Sequence, residues 1–377
     1  MQMFKMKLNA VNNIFQEYIE SCLQYPYVQR QHLSGNGTTY FLEEKLRRYY
    51  NKKHALAFCN ATTALQALCV ALDLNNAEIL TSPINWGGSI SPFLLQRNKL
   101  CFTSIDPVSM NLSVNDLPFA ITNKTKAVLS VDFNGTPVDS EVIKTFCLQN
   151  NLIYISDSAQ SLGSSLNNKP AGYFADAIVL SFSPGKSFFA GEGGAVITDD
   201  DNIYEKLLWC SQHPSRQKTV FGISNYNDYA PINGRMNPLS SILLNETFES
   251  SLNALHEKQT ECYKLLCKLQ KMEFVELTPH ISKPTSSTFF SFVLQLKPDV
   301  TLQMMNSYLT KEKQPFSAVQ SSFKLIPFDK SFMNQFRGKF SCSKNLLELN
   351  KILKKKNSIR LISYESLDCI CANYFNL

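Results

Sequence analysis

The sequence predicts an α/β fold: a mostly parallel sheet with helices on both faces, followed by a smaller C-terminal α/β domain. Two observations predict it. From about residue 55, short apolar or β-branched runs alternate with helical patterns, the rhythm of right-handed crossover connections. The composition also suits a globular core, with 44% hydrophobic and 18% charged residues over 377 positions, unlike a disordered or fibrous chain. At roughly 100 to 200 residues per domain, this length fits one large domain or two coupled ones.

The strands are expected at 55–59, 78–82, 100–106, 126–133, 152–157, 176–182 and 194–199, with helices at 62–73, 87–96 and 138–150 between several of them. Past Asp200 a loop rich in Asn, Tyr and Pro is expected from about 213 to 238. Pro238 then opens a long helix to about Lys271, because proline's missing donor is unused in a first turn. A strand at 288–296, helices at 301–311 and 344–356 and a final apolar run complete the pattern. The division expected is a large domain over 1–240, with an N-terminal helical segment, and a small domain over 241–377. Lys354, Lys355 and Lys356 suit the negative end of a helix dipole.

Charge and cysteines exclude several classes. Lysines and arginines number 37 against 31 acidic residues, a surplus of +6, which forms no basic block and does not indicate nucleic acid. The 11 cysteines are scattered through apolar runs such as LAFCN and LQALCVAL, where a thiol behaves as a small hydrophobe. The N-terminal stretch is broken by Lys, Asn and Gln and lacks a signal-peptide core. No run approaches the roughly 18 apolar residues of a membrane span. A cytoplasmic protein with reduced thiols is the expectation, so the sequons at Asn36, Asn60, Asn111, Asn123 and Asn134 read as chance matches.

Three segments carry chemistry. SFSPGKSFFAGEGGAVITDD, at 181–200, contains GlyLysSer, yet a phosphate-binding P-loop needs glycine five residues before the GlyLys pair, and position 180 is Leu. What remains is Lys186 just beyond an apolar strand, with Ser181 and Ser183 before it and Gly191, Gly193 and Gly194 after it. A lysine near a buried sheet edge can lose its proton and act as a nucleophile. In LIYISDSAQSLG a strand ends in Asp157, with Gln160 three residues on. A carboxylate there needs a cationic or protonated partner. In AFCNATTALQALCVAL a strand runs into a helix opening at Thr62, where free amides of Thr62 and Thr63 would make an anion site. Position alone leaves Lys186 open as a surface lysine, Asp157 as a helix cap and the 60–63 turn as an ordinary connection.

Together these segments resemble the DegT/DnrJ/EryC1/StrS family, sugar aminotransferases of the type I fold of pyridoxal-phosphate enzymes. FLEEKLRRYYNKKHALAFCNATTAL, SIDP, TKAVLSVDFNGTP and INGRMNPLSS support the match, in order, over about residues 30 to 245. The resemblance implies pyridoxal 5'-phosphate as cofactor and Lys186 as the Schiff-base lysine that carries the proton. It makes Asp157 the partner of the pyridinium nitrogen, Gln160 a neighbour of the ring hydroxyl and Trp86 the aromatic stacked on the ring. Thr62, Thr63 and Ser181 resemble phosphate ligands. Asn233 and Arg235 look like contacts lent by the neighbouring subunit of a homodimer. Ala61 and Ser156 depart from the family's usual glycine and acidic residue, and 313–340, which helps shape the substrate pocket, matches poorly. Lys186 argues against the family's dehydratase branch, in which a histidine replaces the lysine.

The function the resemblance implies is transfer of an amino group, from glutamate, to a keto or aldehyde carbon of a nucleotide-activated sugar by a ping-pong Schiff-base route. The alternatives are a cyclitol, carrier-bound or peptidyl carbonyl as acceptor, or a non-catalytic protein that retains the fold.

Overall fold

The computed structural model describes residues 12–13, 15–16, 18–20, 33–222, 232–271, 275–277, 285–314, 316–320, 325–353 and 357–363. Its centre is an eight-stranded sheet. In chain order the strands are β1 (His54–Phe58), β2 (Glu78–Thr81), β3 (Lys99–Phe102), β4 (Thr125–Val131), β5 (Ile153–Asp157), β6 (Ala177–Ser181) and β7 (Gly194–Thr198). The later strands of three or more residues are β8 (Val275–Leu277), β9 (Phe292–Leu296), β10 (Phe316–Gln320), β11 (Phe340–Cys342) and β12 (Asn357–Ser363), while the two-residue strands Ser165–Leu166, Lys169–Pro170 and Thr285–Ser286 make a small sheet of their own.

Across the large sheet the order is β1-β7-β6-β5-β4-β2-β3-β11. The pairs β6–β5, β5–β4, β4–β2, β2–β3 and β3–β11 are parallel, whereas β7 is antiparallel to both β1 and β6. So β7 alone is reversed. Its connection from β6 carries no helix, and parallel neighbours need a crossover, usually helical, to bring the chain back. Strands β2, β6 and β7 are buried at every position, the near-continuous apolar pattern of a sheet covered on both faces.

Helices α1 (Thr38–Tyr50), α2 (Ala61–Ala71), α3 (Gly87–Leu95), α4 (Ser140–Gln149), α5 (Asp201–Ser211) and α6 (Pro214–Phe221) belong to the same part of the chain. Two apolar cores divide them: Ala64, Leu65 and Leu68 of α2 pack in one, Leu42 and Leu46 of α1 and Ile143 of α4 in the other. Polar residues start several of these helices. Asn60 caps α2, Asp139 caps α4 and Asp200 caps α5, each accepting from amides of the first turn. The stretch read from sequence as one loop from 213 holds α6, which starts on Pro214 behind the His213 cap and ends at Gly222 in the left-handed region. Residues 223–231 of that loop lie outside the described residues.

The helix α7 (Pro238–Gln270) follows, with proline in its first turn as expected. Beyond it, β8, β9, β12 and β10 form a four-stranded antiparallel sheet. Its core joins Leu265, Leu266 and Leu269 of α7 to Phe292, Leu294 and Leu296 of β9, with Met305 and Leu309 of α8 (Leu302–Lys311). The strand expected at 288–296 begins only at Phe292. The helix α9 (Lys344–Leu353) starts where expected, and 354–356 lie outside the described residues. Not all of this later chain joins the small sheet: β11 pairs with β3, and Leu325 and Leu346 enter a core of the large one.

Candidate functional site

A cavity of about 700 Å³ opens beyond the carboxyl ends of β1, β4, β5 and β6, where open α/β sheets bind ligands. Thr62 and Thr63 at the start of α2, Trp86 at the start of α3, Asp157 and Gln160 after β5, and Ser181 and Lys186 after β6 all line it. Residues that the chain separates by more than a hundred positions thus meet in one place, because each lies at or beyond the carboxyl end of a strand in the same sheet.

Lys186 sits in the connection that reverses the chain into β7. Its backbone N–H donates to Ser183 O at 3.3 Å, and its Nζ stands 4.2 Å from the centroid of the Phe290 ring. Burial pushes the amine below the ordinary lysine range, while the charge of Asp157 opposes that shift. Asp157 is only 3% exposed. Burial raises its carboxyl, against hydrogen bonds from the Ser89 side chain and from the Ala159 N–H at 3.1 Å and against the charge of Lys186. Both line the same cavity, and the charge of each opposes the shift that burial imposes on the other.

The helix start departs from expectation in one respect. The Thr63 amide is not free: it donates to Asn60 Oδ1 at 2.7 Å. Asparagine at the cap position satisfies that donor locally, which leaves the Thr62 amide, the hydroxyls of Thr62 and Thr63 and the helix dipole as what this end offers an anion. The helix is held against the sheet by Gly194, where an added Cβ would stand 2.6 Å from the backbone of Asn60 and Ala61. Ser181 Oγ lies 3.2 Å from Ser183 Oγ.

Asn233 and Arg235 do not line this cavity. Arg235 bridges Phe58 at the end of β1, the Cys59 N–H donates to Gly234 O at 2.8 Å, and Asn233 is exposed.

Other lining residues carried no sequence signal. Ser89 owes its place to the α3 turn that also carries Trp86, and Glu192 stands at the rim. Phe290 comes from the far side of the chain. The segment 285–290 is strapped to the large sheet: Ser287 Oγ donates to Gly135 O at 3.1 Å, Thr288 Oγ1 to Gln160 O at 2.6 Å and the Phe290 N–H to Asn134 O at 3.0 Å. The helix α7 holds its other side through Gln259 Nε2, which donates to Ser287 O at 3.0 Å, and Lys258 Nζ, which donates to Phe289 O at 2.8 Å. Gly135 permits the clasp, since a Cβ there would stand 1.8 Å from Thr288 Oγ1 at a φ of +79°.

The DegT/DnrJ/EryC1/StrS aminotransferase family model matches residues 16–345. The chain belongs to that family. Among curated relatives, a UDP-4-amino-4,6-dideoxy-N-acetyl-beta-L-altrosamine transaminase of Helicobacter pylori is 31% identical over 220 residues, 54% of this chain and 57% of its own length. A GDP-perosamine synthase of Vibrio cholerae is 26% identical over 279 residues, 74% of this chain and 72% of that protein. The aligned part thus spans a little over half to about three quarters of these two relatives. Among solved structures, a DegT DnrJ EryC1 StrS aminotransferase from Brucella abortus superposes with a TM-score of 0.77 at 20% identity, covering 96% of this chain and 91% of that one. That agreement establishes the fold. No helix among the described residues is long and apolar enough to cross a membrane, and among them no group of side chains could hold a metal ion.

Proposed function

We propose that this family member is a pyridoxal-phosphate-dependent aminotransferase that moves an amino group, from glutamate, onto a keto carbon of a nucleotide-activated sugar in two alternating half-reactions. The observation that carries the reading is the opposition of Lys186 and Asp157 across one cavity, with a helix N-terminus and three hydroxyls at its side. These residues suit a flat, phosphate-bearing pyridine aldehyde: Thr62, Thr63 and Ser181 would hold the phosphate, Asp157 the ring nitrogen, Gln160 the ring hydroxyl and Trp86 the ring face. A volume of about 700 Å³ leaves room for part of a substrate beside it. The named activities of the relatives, a transaminase and a perosamine synthase acting on nucleotide sugars by their names, support the substrate class.

Bound pyridoxal phosphate supplies a carbonyl that accepts the amino group and a ring that takes up electrons from the reacting carbon. The chain's own residues do the rest. Lys186, its amine lowered by burial, carries a proton on Nζ from the donor's carbon to the cofactor side and back for the acceptor. Asp157, anionic, keeps a proton on the ring nitrogen, which improves the ring as an electron sink. Phe290, whose ring centroid stands 4.2 Å from Lys186 Nζ, narrows access of water to that amine.

Charge supports a shared site in a homodimer. Among the described residues lining the cavity Lys186 is the one cation, whereas the cofactor phosphate, glutamate and a nucleotide diphosphate are all anionic. Asn233 and Arg235, outside their own cavity, are the candidates a neighbouring subunit would lend.

Incubation with pyridoxal phosphate should give a visible absorption band that borohydride bleaches while fixing cofactor to Lys186. Lys186→Ala should retain it noncovalently at most. A protein that stays colourless overturns the reading. For the shared site, inactive Lys186→Ala and Arg235→Ala chains refolded together should regain activity, since one site of the hybrid is intact. A hybrid as dead as its parents means that Arg235 serves its own chain.

A further inference from the structure

A second buried carboxylate stands behind the site and has no part in the mechanism above. Asp132 follows β4, is fully buried, and makes no salt bridge among the described residues. Its Oδ2 accepts from Ser158 Oγ at 2.6 Å and Ser161 Oγ at 2.7 Å, its Oδ1 accepts from the Val138 N–H at 2.8 Å, and its own N–H donates to Asp157 O at 3.2 Å. Asp132 therefore grips the turn 157–161 at three points. That turn carries Asp157 at one end and Gln160 near the other, and the Ser161 N–H closes it onto Ser158 O at 3.0 Å.

We propose that Asp132 is a positioning residue: as an anion it draws Ser158 and Ser161 inward and so fixes the angle at which Asp157 and Gln160 enter the cavity. The reading rests on the proposed cofactor site and deepens it. Three considerations support it. An ionised carboxylate offers four acceptor positions and no donor, which matches the three donors that converge on it. Charge-assisted hydrogen bonds of this length are about twice as strong as neutral ones, enough to order a short turn. Burial meanwhile pushes Asp132 up to about 6, with the charge of Asp157 adding to the shift and the serines and Val138 opposing it. A carboxylate kept in place against its own desolvation points to a role that its charge performs. The titratable groups that feel Asp132 are Asp157, Tyr50 and Tyr154, with Lys186 beyond Asp157.

The conservative test is Asp132→Asn. An amide keeps the shape, can accept from Val138, and can donate to the serine hydroxyls, which accept as well as donate. The variant should fold, yet lose the inward pull. At pH 8 its dissociation constant for pyridoxal phosphate, read from the visible band, should rise about tenfold. As pH falls through about 6 the wild type should lose affinity relative to the variant until the two values converge, since the cofactor phosphate, Asp157 and Lys186 titrate in both. Ser158→Ala with Ser161→Ala, which keeps the carboxylate and removes two donors, should weaken binding in the same direction and decides the matter if Asp132→Asn does not fold. Wild-type affinity and pH response in the variants overturn the proposal. A wild type that never binds the cofactor instead overturns the function on which it rests.

Discussion

The carboxyl edge of the large sheet and the C-terminal sheet bury opposite kinds of side chain. The first buries Asp132, Asp157, Ser158, Ser161 and Ser181, with Lys186 half-buried beside them, and burial shifts each carboxyl upward. The second buries Phe292, Leu294, Leu296, Met305 and Leu309 against the end of α7. Desolvated charge costs stability, whereas apolar burial stabilises at roughly 25 cal/mol per Å². The sheet edge is arranged for chemistry, and the C-terminal sheet supplies an independent apolar mass whose contribution to the site is the strap ending in Phe290. Substitutions in the two regions should therefore divide between turnover and stability.

The largest expected effect on the stability side is Leu294→Ala. Leu294 is fully buried, so truncation should cost about 2–5 kcal/mol, read by denaturant unfolding, while the folded fraction keeps most of its turnover. Turnover lost in step with stability would show that the two regions are one unit. Asp157→Asn should behave in the opposite way. Transamination should fall by roughly 10²-fold or more, as for a lost electrostatic contact in a transition state, with stability unchanged or raised because a disfavoured buried charge is removed. Near-normal turnover would reduce the carboxylate to a cap for Ala159.

A pH series sharpens the contrast. Asp132 is raised from 3.8 to about 6, so the folded state binds more protons than the unfolded one between these values. Its contribution is most favourable below 3.8 and is lost as pH rises through 6. At 1.36 kcal/mol per unit, wild type should lose about 2.4 kcal/mol relative to Asp132→Asn between pH 4 and 7, with other carboxylates cancelling in the difference. Equal differences at both pH values would assign the charge cost elsewhere. Gly135→Ala tests the clasp between the regions. The positive φ and the collision with Thr288 should cost about 1–3 kcal/mol and raise the Michaelis constant by freeing Phe290. The smallest effect is expected at Asn60→Ala, about 1 kcal/mol for the lost cap.

Much of the large sheet was legible because its strands are apolar on both faces and each has a polar residue at its end or within two residues of it. The runs at 55–59, 78–82, 152–157 and 176–182 match observed strands to within a residue or two. Other ends were less legible. The run 100–106 continues four residues past Phe102: Thr103, Ser104 and Ile105 are buried, but of their amides only the Thr103 N–H still reaches β2, at Thr81 O, while Ser104 and Ile105 pair with the loop 112–116. The run at 288–296 merged two structures, a strap and a strand, since Phe289 and Phe290 look like the strand residues that follow them. Phe289 at a φ of +47° marks the break, and no one-residue pattern signals it.

By itself the sequence determined the fold class and the alternation of strands and helices, and it set Thr62, Thr63, Trp86, Asp157, Gln160, Ser181 and Lys186 at or beyond strand ends, while the family resemblance gave them their roles. Those are local facts: a strand end and the polar residue after it are neighbours in the chain. Tertiary structure decided the reversal of β7, the pairing of β11 with β3 and the arrival of Phe290 and Asp132 beside the site. Each of these depends on two segments far apart in sequence meeting with complementary hydrogen bonds or packing, and one segment read alone carries no record of its partner.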